Sequence, residues 1–483
     1  MICTSRMLAL GLLGASIIAG AQKPSPKGAR QPLVILISID GLKPEAVLRA
    51  EAHHLKVPNL RRMVTDGLYA DGVIGVLPTL TYPSHTTLLT GVSPSVHGIY
   101  SNTTFDPLNK NAQGWYWYSE DIKVPTLWDA AHKAGITTAN VYWPVSVGAQ
   151  VDFNLAQIWR TGLPDDLKLQ RAVSTKGLIE ELEARAKVPG APSVSAMDVA
   201  AGHYPGGEDE TVADDEVRAR YAVELLHLHH PRFMTVYFTG LDTEQHKTGP
   251  FSSESDAVLE RIDALVGQVR AAAEAEAPNH AYVCVVSDHG FASVQHDVNL
   301  YKVFLENGLI TLNAQHAIAS WKATLWPMGG SAAVLLADPN DQATKETVDA
   351  ILAKLAADPN NGIERILTHD EVVKGGGFAG AESMVSMAPG YELGYLFSGP
   401  LVTPGLDGGM HGYPPDRPDM RSTFLLDGPG IAPNHSVGVI DMRQIAPTLA
   451  KLMHASLPYA EMPPIAINSA SGVEHPSSKR PWQ

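Results

Sequence analysis

Residues 33–41, "LVILISIDG", form an apolar run interrupted only by Ser38 and stopped by Asp40-Gly41. A strand that is apolar at nearly every position, rather than at alternate ones, is covered on both faces. The same grammar returns at 233–242, "FMTVYFTGLD", and at 281–290, "AYVCVVSDHG", where an apolar run again ends in an acid. Between these two, Val258, Leu259, Ile262, Leu265, Val266 and Val269 recur at helical spacing and predict an amphipathic helix. Strands alternating with helices predict an α/β fold with a largely parallel central sheet and helices on both faces. Such a sheet carries its functional loops at the carboxyl ends of the strands, so the three terminal acids are expected along one edge.

Working outward, Arg6 precedes the short apolar run 7–21, "MLALGLLGASIIAGA", which ends in small residues. Residues 1–21 therefore read as a signal peptide, placing the mature chain in the periplasm or outside the cell, with no membrane span left in it. Residues 22–32 read as a linker, 33–460 as one domain with a loop or insertion near 187–216, and 469–483 as a flexible tail. With Cys3 in the leader, Cys284 is alone and no internal disulfide can form, so stability must come from a large core. A chain of 483 residues with 45% hydrophobic content can supply one. The formal charge of -15 excludes a nucleic-acid groove, which needs a basic stripe. It leaves small anionic substrates open, because bound divalent cations reverse the local field.

The acids have companions. Asp242 and His246 are four apart, so one helical turn can present both to a single ion. Asp288 is followed by His289, and His411 stands in a glycine-rich loop, "GGMHGYPP". Each has a plainer use on its own, since an Asp after a strand commonly forms a turn or caps a helix. Taken together, Asp40, Asp242, Asp288, His246, His289 and His411 make a mixed oxygen and nitrogen set suited to two zinc ions. The remaining oddity is Thr81, in "LPTLTYPSHTTLLTGVSPSVHGIYSN" (77–102), which starts a helix-like stretch.

The strings "ISIDGLKPE", "LPTLTYPSHTTLLTGVSPSVHGIYSN", "TGLDTEQHKTGP", "VSDHGF" and "GMHGY" occur in family order. They resemble the nucleotide pyrophosphatase/phosphodiesterase branch of the alkaline phosphatase superfamily, from about residue 33 to 455. The resemblance implies an alkaline-phosphatase-like fold and a secreted hydrolase acting on small phosphate esters or nucleotides. One zinc ion would take Asp242, His246 and His411, and the other Asp40, Asp288, His289 and the Thr81 oxygen. Thr81 would be the nucleophile, its hydroxyl acidified by the metal, and the reaction would pass through a phosphothreonine. Two successive inversions would retain configuration at phosphorus. Asn102 matches an asparagine that donates to a phosphoryl oxygen, and Tyr82 an aromatic that stacks on substrate bases. Trp128, Trp143 and Arg160 are the further candidates for substrate contact. The family often has Asn where this chain has Ser84, a position read as structural.

Other tempting residues are read as scaffold. "HLHH" (227–230) ends a helix, where cationic or polar groups suit the helix dipole. His85, His97 and His296 are expected to make structural hydrogen bonds. The rival activity on the same scaffold is a phosphomonoesterase, which Arg160 would favour by matching the extra charge of a monoester. A sulfatase would need Cys or Ser in a Cys/Ser-x-Pro-x-Arg context, whereas the chain has Thr81-Tyr82-Pro83-Ser84-His85. From a different class, a non-catalytic metal-stabilised binding protein would show lost ligands, and none is lost.

Overall fold

The computed structural model describes residues 31–111, 114–159, 165–185 and 211–467. The signal peptide, most of the linker, Arg160, the 469–483 tail and most of the 187–216 stretch lie outside the described residues. Among those described, no helix is long and apolar enough to cross a membrane.

The main sheet has strands β1 (Leu33–Ile39), β2 (Leu68–Tyr69), β3 (Thr138–Val141), β4 (Phe153–Leu155), β5 (Phe233–Phe238), β6 (Ala281–Val286), β7 (Phe424–Asp427) and β8 (His435–Ser436). Their order is β8-β2-β7-β6-β1-β5-β3-β4. The expected strand β1 is central and runs parallel to β5 and β6, while β3 and β4 extend the parallel part. The parallel sheet gives way at β7, which pairs antiparallel with both β6 and β2.

Every residue of β1 is buried. Its side chains alternate between two cores, Leu33, Ile35, Ile37 and Ile39 on one face and Val34 and Leu36 on the other. The first face is covered by α2 (Val212–His229) and α4 (Ser253–Glu276), through residues such as Leu225, Leu226, Ile262 and Val266. The predicted apolar stripe of α4 is thus the stripe that packs. The second face is covered by α1 (Thr81–Thr90) and the helix Ile445–Leu452, through Leu88, Leu89, Ile445 and Leu449. Continuous apolar strands follow from this two-sided cover.

Two local expectations are corrected. Strand β5 stops at Phe238, and the chain passes directly into α3 (Gly240–Thr248), so Asp242 lies in the first turn of a helix and not at a strand end. The cause is Asp215 on α2, whose carboxylate accepts from the backbone N–H groups of Thr239 and Gly240 (both 2.9 Å) and satisfies donors that a helix start leaves open. The stretch read as a glycine-rich loop is strand in its first half, Val402–Met410 including Gly408 and Gly409, and His411 opens the irregular segment that directly follows. That strand belongs to a three-stranded sheet with Ala292–Val298 and Gly390–Leu393, which packs beside a four-stranded antiparallel sheet containing Ser331–Leu336 and Ser383–Met387.

In the three-stranded sheet Glu392 faces Asp297 across a parallel pair. Burial, and then the facing Asp297 carboxylate, push the Glu392 carboxyl up to about 7. The folded state therefore holds a proton there that the unfolded chain has released, from the ordinary glutamate range of about 4.5 up to about 7. This contribution to stability is present at low pH and is lost as pH rises through that window. Glu392→Gln is expected to raise Tm at pH 8 and to change it little at pH 4.5, as measured by differential scanning calorimetry.

Candidate active site

The two central strands deliver the first ligand candidates. Asp40 directly follows β1, and Asp288-His289 lie just past β6, its parallel neighbour. Helix α3 brings Asp242 and His246 on one face, with Asp242 Oδ2 and His246 Nε2 3.4 Å apart. His411 arrives from far along the chain because Met410 pairs with Ala292, which sets it beside His289. The His289 and His411 rings stack at 3.6 Å with an 11° interplanar angle. Thr81 is the first residue of α1, and its Oγ lies 3.4 Å from His289 Nε2. All six predicted ligands and the predicted nucleophile converge.

The hydrogen bonds settle which imidazole nitrogen faces inward. His246 Nδ1 lies 3.0 Å from the Gly409 carbonyl, His289 Nδ1 3.1 Å from the Gly290 carbonyl and His411 Nδ1 3.1 Å from the Thr79 carbonyl. A carbonyl can only accept, so each Nδ1 carries the proton and each Nε2 presents a lone pair. Burial holds all three imidazoles well below their usual range, to about 4 for His246. His289 and His411 are lowered further by neighbouring imidazoles. They are therefore neutral, as metal ligation requires.

The carboxylates are under the opposite stress. Burial, then Asp288 and Asp242, raise Asp40 well above the carboxylate range. Burial likewise raises Asp288, against the pull of His85. Asp40 Oδ1 and Asp288 Oδ2 are buried with no hydrogen-bond donor among the described residues. Both instead face the His289 Nε2 lone pair, at 3.3 and 3.1 Å. Acceptor opposed to acceptor is the arrangement a cation resolves, so the donor set fits metal ions. Two groups have donors close enough to share one, Asp40 with Asp288 and His289, and Asp242 with His289 and His411. The second contains His289 where His246 was expected, because the stacking of His289 on His411 brings its Nε2 close to both carboxylate sets. His246 remains beside Asp242, its ring 5.1 Å from that of His411.

Asp40, Thr81, Asp242, His246 and His411 line a cavity of about 270 Å³ that also holds Asn102, Tyr82, Trp115 and Trp159. The Tyr82 backbone N–H donates to Asn102 Oδ1 at 2.9 Å, which commits the carbonyl end of that amide and leaves its NH₂ end as the donor. Trp115 lies 5.4 Å from Tyr82 and stacks on Trp159 at 5.2 Å. The two predicted tryptophans do not reach the cavity. Trp128 and Trp143 are buried in the core under the sheet, their indoles bonded to Thr235 Oγ1 and to the His85 carbonyl. Trp115 and Trp159 went unremarked in the sequence, although the run "GWYWY" (114–118) was a visible signal and Trp159 directly precedes Arg160. A larger cavity of about 680 Å³ lies at the far end of β6, lined by Arg62, Arg270 and Asp427 among others, and contains none of these groups.

The other histidines serve the scaffold. His229 pairs with Glu181 and stacks on Phe153, and His230 pairs with Glu276. His85 bridges the Thr81 carbonyl and Ser38 Oγ, His97 contacts Thr87 Oγ1, and His296 stacks on Tyr391.

Tyr237, in the middle of β5, donates its hydroxyl to Asp40 Oδ2 and orients the carboxylate from behind. Groups of this kind typically govern metal affinity by 10–100-fold. Tyr237→Phe is expected to weaken divalent-metal binding about tenfold in a chelator-competition titration, with an unchanged circular dichroism spectrum.

Residues 34–414 match the type I phosphodiesterase / nucleotide pyrophosphatase family. Ectonucleotide pyrophosphatase/phosphodiesterase family member 3 of Rattus norvegicus is 26% identical over 283 residues, covering 56% of this chain and 26% of that protein. A venom phosphodiesterase of Naja atra is 22% identical over 284 residues, 56% of this chain and 27% of that one. The chain thus spans about a quarter of the length of these curated relatives. Among solved structures, an inactive variant of murine ectonucleotide pyrophosphatase / phosphodiesterase 5 in complex with AMP superposes with a TM-score of 0.60 and 18% identity. The match covers 89% of this chain and 96% of that one, and the shared fold is the alkaline-phosphatase-like α/β arrangement.

Proposed function

The chain belongs to the type I phosphodiesterase / nucleotide pyrophosphatase family, and on that premise we propose that it is a dizinc hydrolase of phosphodiesters and nucleotide pyrophosphates. Thr81 is its nucleophile, and it works outside the cytoplasm after loss of residues 1–21. The observation that carries the reading is the set of three imidazoles, buried for His289 and His411 and half-buried for His246, each locked by its Nδ1–H so that Nε2 faces three buried carboxylates beside the Thr81 hydroxyl.

Asp40, Asp288 and His289 would hold one zinc ion, and Asp242, His246 and His411 the other. Bound there, the ions would make the Thr81 hydroxyl acidic enough to react near neutral pH and would neutralise charge on the phosphoryl group.

The chain's own groups do the rest. Thr81 loses its proton to solvent, its Oγ bonds to phosphorus, and the bond from phosphorus to the leaving oxygen breaks in line. Water then attacks the phosphothreonine from the same side that the leaving group vacated. The Thr81 oxygen is displaced and recovers a proton. Asn102, its carbonyl already engaged by Tyr82, offers Nδ2 to a phosphoryl oxygen on which charge grows. Thr81 opens the ten-residue helix α1, so the positive end of the helix dipole also meets that charge. Tyr82, Trp115 and Trp159 give the cavity an aromatic wall suited to a nucleoside or aryl group.

Zinc-loaded protein is expected to hydrolyse bis-p-nitrophenyl phosphate faster than p-nitrophenyl phosphate. A chelator should abolish the activity and zinc restore it. Thr81→Ala is expected to lower kcat about 10³-fold or more while retaining zinc in dialysed protein. Chiral phosphorothioate diesters should react with retention at phosphorus. Faster turnover of the monoester, or net inversion, would each overturn the corresponding part of the reading.

A further inference from the structure

Helix α3 carries a second row of side chains that the metal chemistry does not use. Asp242 and His246 lie four residues apart on one stripe, and Thr243 and Lys247 lie four apart on the next, about 100° further round. Both stripes line the cavity that contains Thr81. Lys247 is the sole lysine or arginine among the described residues of that wall. Its ammonium is exposed, and among the described residues it has no hydrogen bond or ion pair. In a chain of formal charge -15, beside a cavity already lined by the carboxylates of Asp40 and Asp242, this uncommitted cation lacks a structural partner among the described residues.

Its position relative to the nucleophile gives it a use. Thr81 Oγ lies against His289, on the side of Asp40 and Asp288. An in-line displacement sends the leaving group away from the attacking oxygen, and hence toward Asp242, His246 and His411. Lys247 directly follows His246 on that side. The aromatic residues Tyr82, Trp115 and Trp159 cluster instead around the start of α1.

We propose that Lys247, assisted by the Thr243 hydroxyl, receives the negative charge of the departing group and so selects substrates whose leaving group is itself anionic, as in a phosphoanhydride. The assignment rests on the phosphodiesterase reading above and adds a specificity-determining residue to it. A plainer role exists, since a lysine in the last turn complements the helix dipole. That role would affect all substrates alike through the position of α3, whereas a contact with the leaving group distinguishes between them.

The experiment compares two substrates that share the transferred thymidine 5′-phosphoryl group. In thymidine 5′-triphosphate the leaving group is pyrophosphate, and in the p-nitrophenyl ester of thymidine 5′-monophosphate it is an aryl oxide. The full zinc-loaded chain is assayed as wild type, Lys247→Met, Lys247→Arg and Thr243→Val. Lys247→Met is expected to reduce kcat/KM for the triphosphate about tenfold more than for the aryl ester, as the loss of one charge-assisted hydrogen bond predicts. Lys247→Arg should restore most of the difference, and Thr243→Val should shift the ratio in the same direction by less. Calorimetry on the metal-loaded Thr81→Ala protein gives a readout without turnover, where pyrophosphate should bind about tenfold more weakly once Lys247 is Met. Equal losses on the two substrates, with unchanged pyrophosphate binding, would overturn the proposal while the phosphodiesterase reading stands. A wild-type enzyme that cleaves neither substrate would overturn both.

Discussion

Three aspartates buried beside one another, Asp40, Asp242 and Asp288, repel, and much of the surrounding structure exists to hold them there. Asp40 receives the Tyr237 hydroxyl, and Asp288 receives the Gly41 backbone N–H at 3.2 Å and the Ser287 hydroxyl at 3.3 Å. These donors cover part of each carboxylate and leave one oxygen of each turned toward His289. Burial without full compensation is costly for a charge. The folded core, with two-sided cover of β1, β5 and β6, supplies the stability that such an arrangement needs. On the dizinc reading proposed above, two divalent ions would bring four positive charges against three carboxylates, and the remaining one would offset charge at the Thr81 oxygen.

Position is achieved by backbone contacts that only glycine allows. A Cβ on Gly408 would lie 2.3 Å from the His246 carbonyl, and one on Gly409 would lie 2.7 Å from the Gln245 carbonyl. These close approaches draw the strand carrying His411 against the helix carrying His246, and they let the Gly409 carbonyl accept from His246 Nδ1. The glycines around His411 thus set the ring orientation of a different histidine. Two segments 163 residues apart are joined by one bond from a side chain to a backbone carbonyl.

Much of this was legible beforehand because it obeys local rules. Continuous apolar runs announced β1, β5 and β6, helical spacing announced α4, and the ends of β1 and β6 announced Asp40 and Asp288. What escaped the sequence depends on distant partners. Asp242 looked like a strand-end acid because the N-terminal cap of α3 comes from Asp215, on another helix. Tyr237 looked like one more core residue of an apolar strand, since alternation says which face a side chain takes and not whether its hydroxyl meets a carboxylate. The tryptophans mark the same limit. Trp128 and Trp115 are equally apolar on paper, but the first belongs to an amphipathic helix that packs on the sheet, and the second stands on an irregular segment with an open cavity beside it.

The aromatic wall has its own support, and backbone strain is part of it. Val145 has φ +56°, a conformation that a β-branched residue seldom adopts, and it packs with Ile99 against Tyr82. Tyr142, three residues earlier, has the same φ of +56°. Strain of this kind costs about 1–3 kcal/mol per residue and persists only where the surroundings overdetermine it. Here the surroundings are Trp143, wedged edge-on against His85, whose ring in turn reaches the Thr81 carbonyl. The segment 142–145 therefore braces helix α1 on one side and the Tyr82 ring on the other. A wall held this rigidly loses little entropy when a planar ring docks on it, so under the proposed function the binding energy of a base or aryl group would remain available to position phosphorus in front of Thr81.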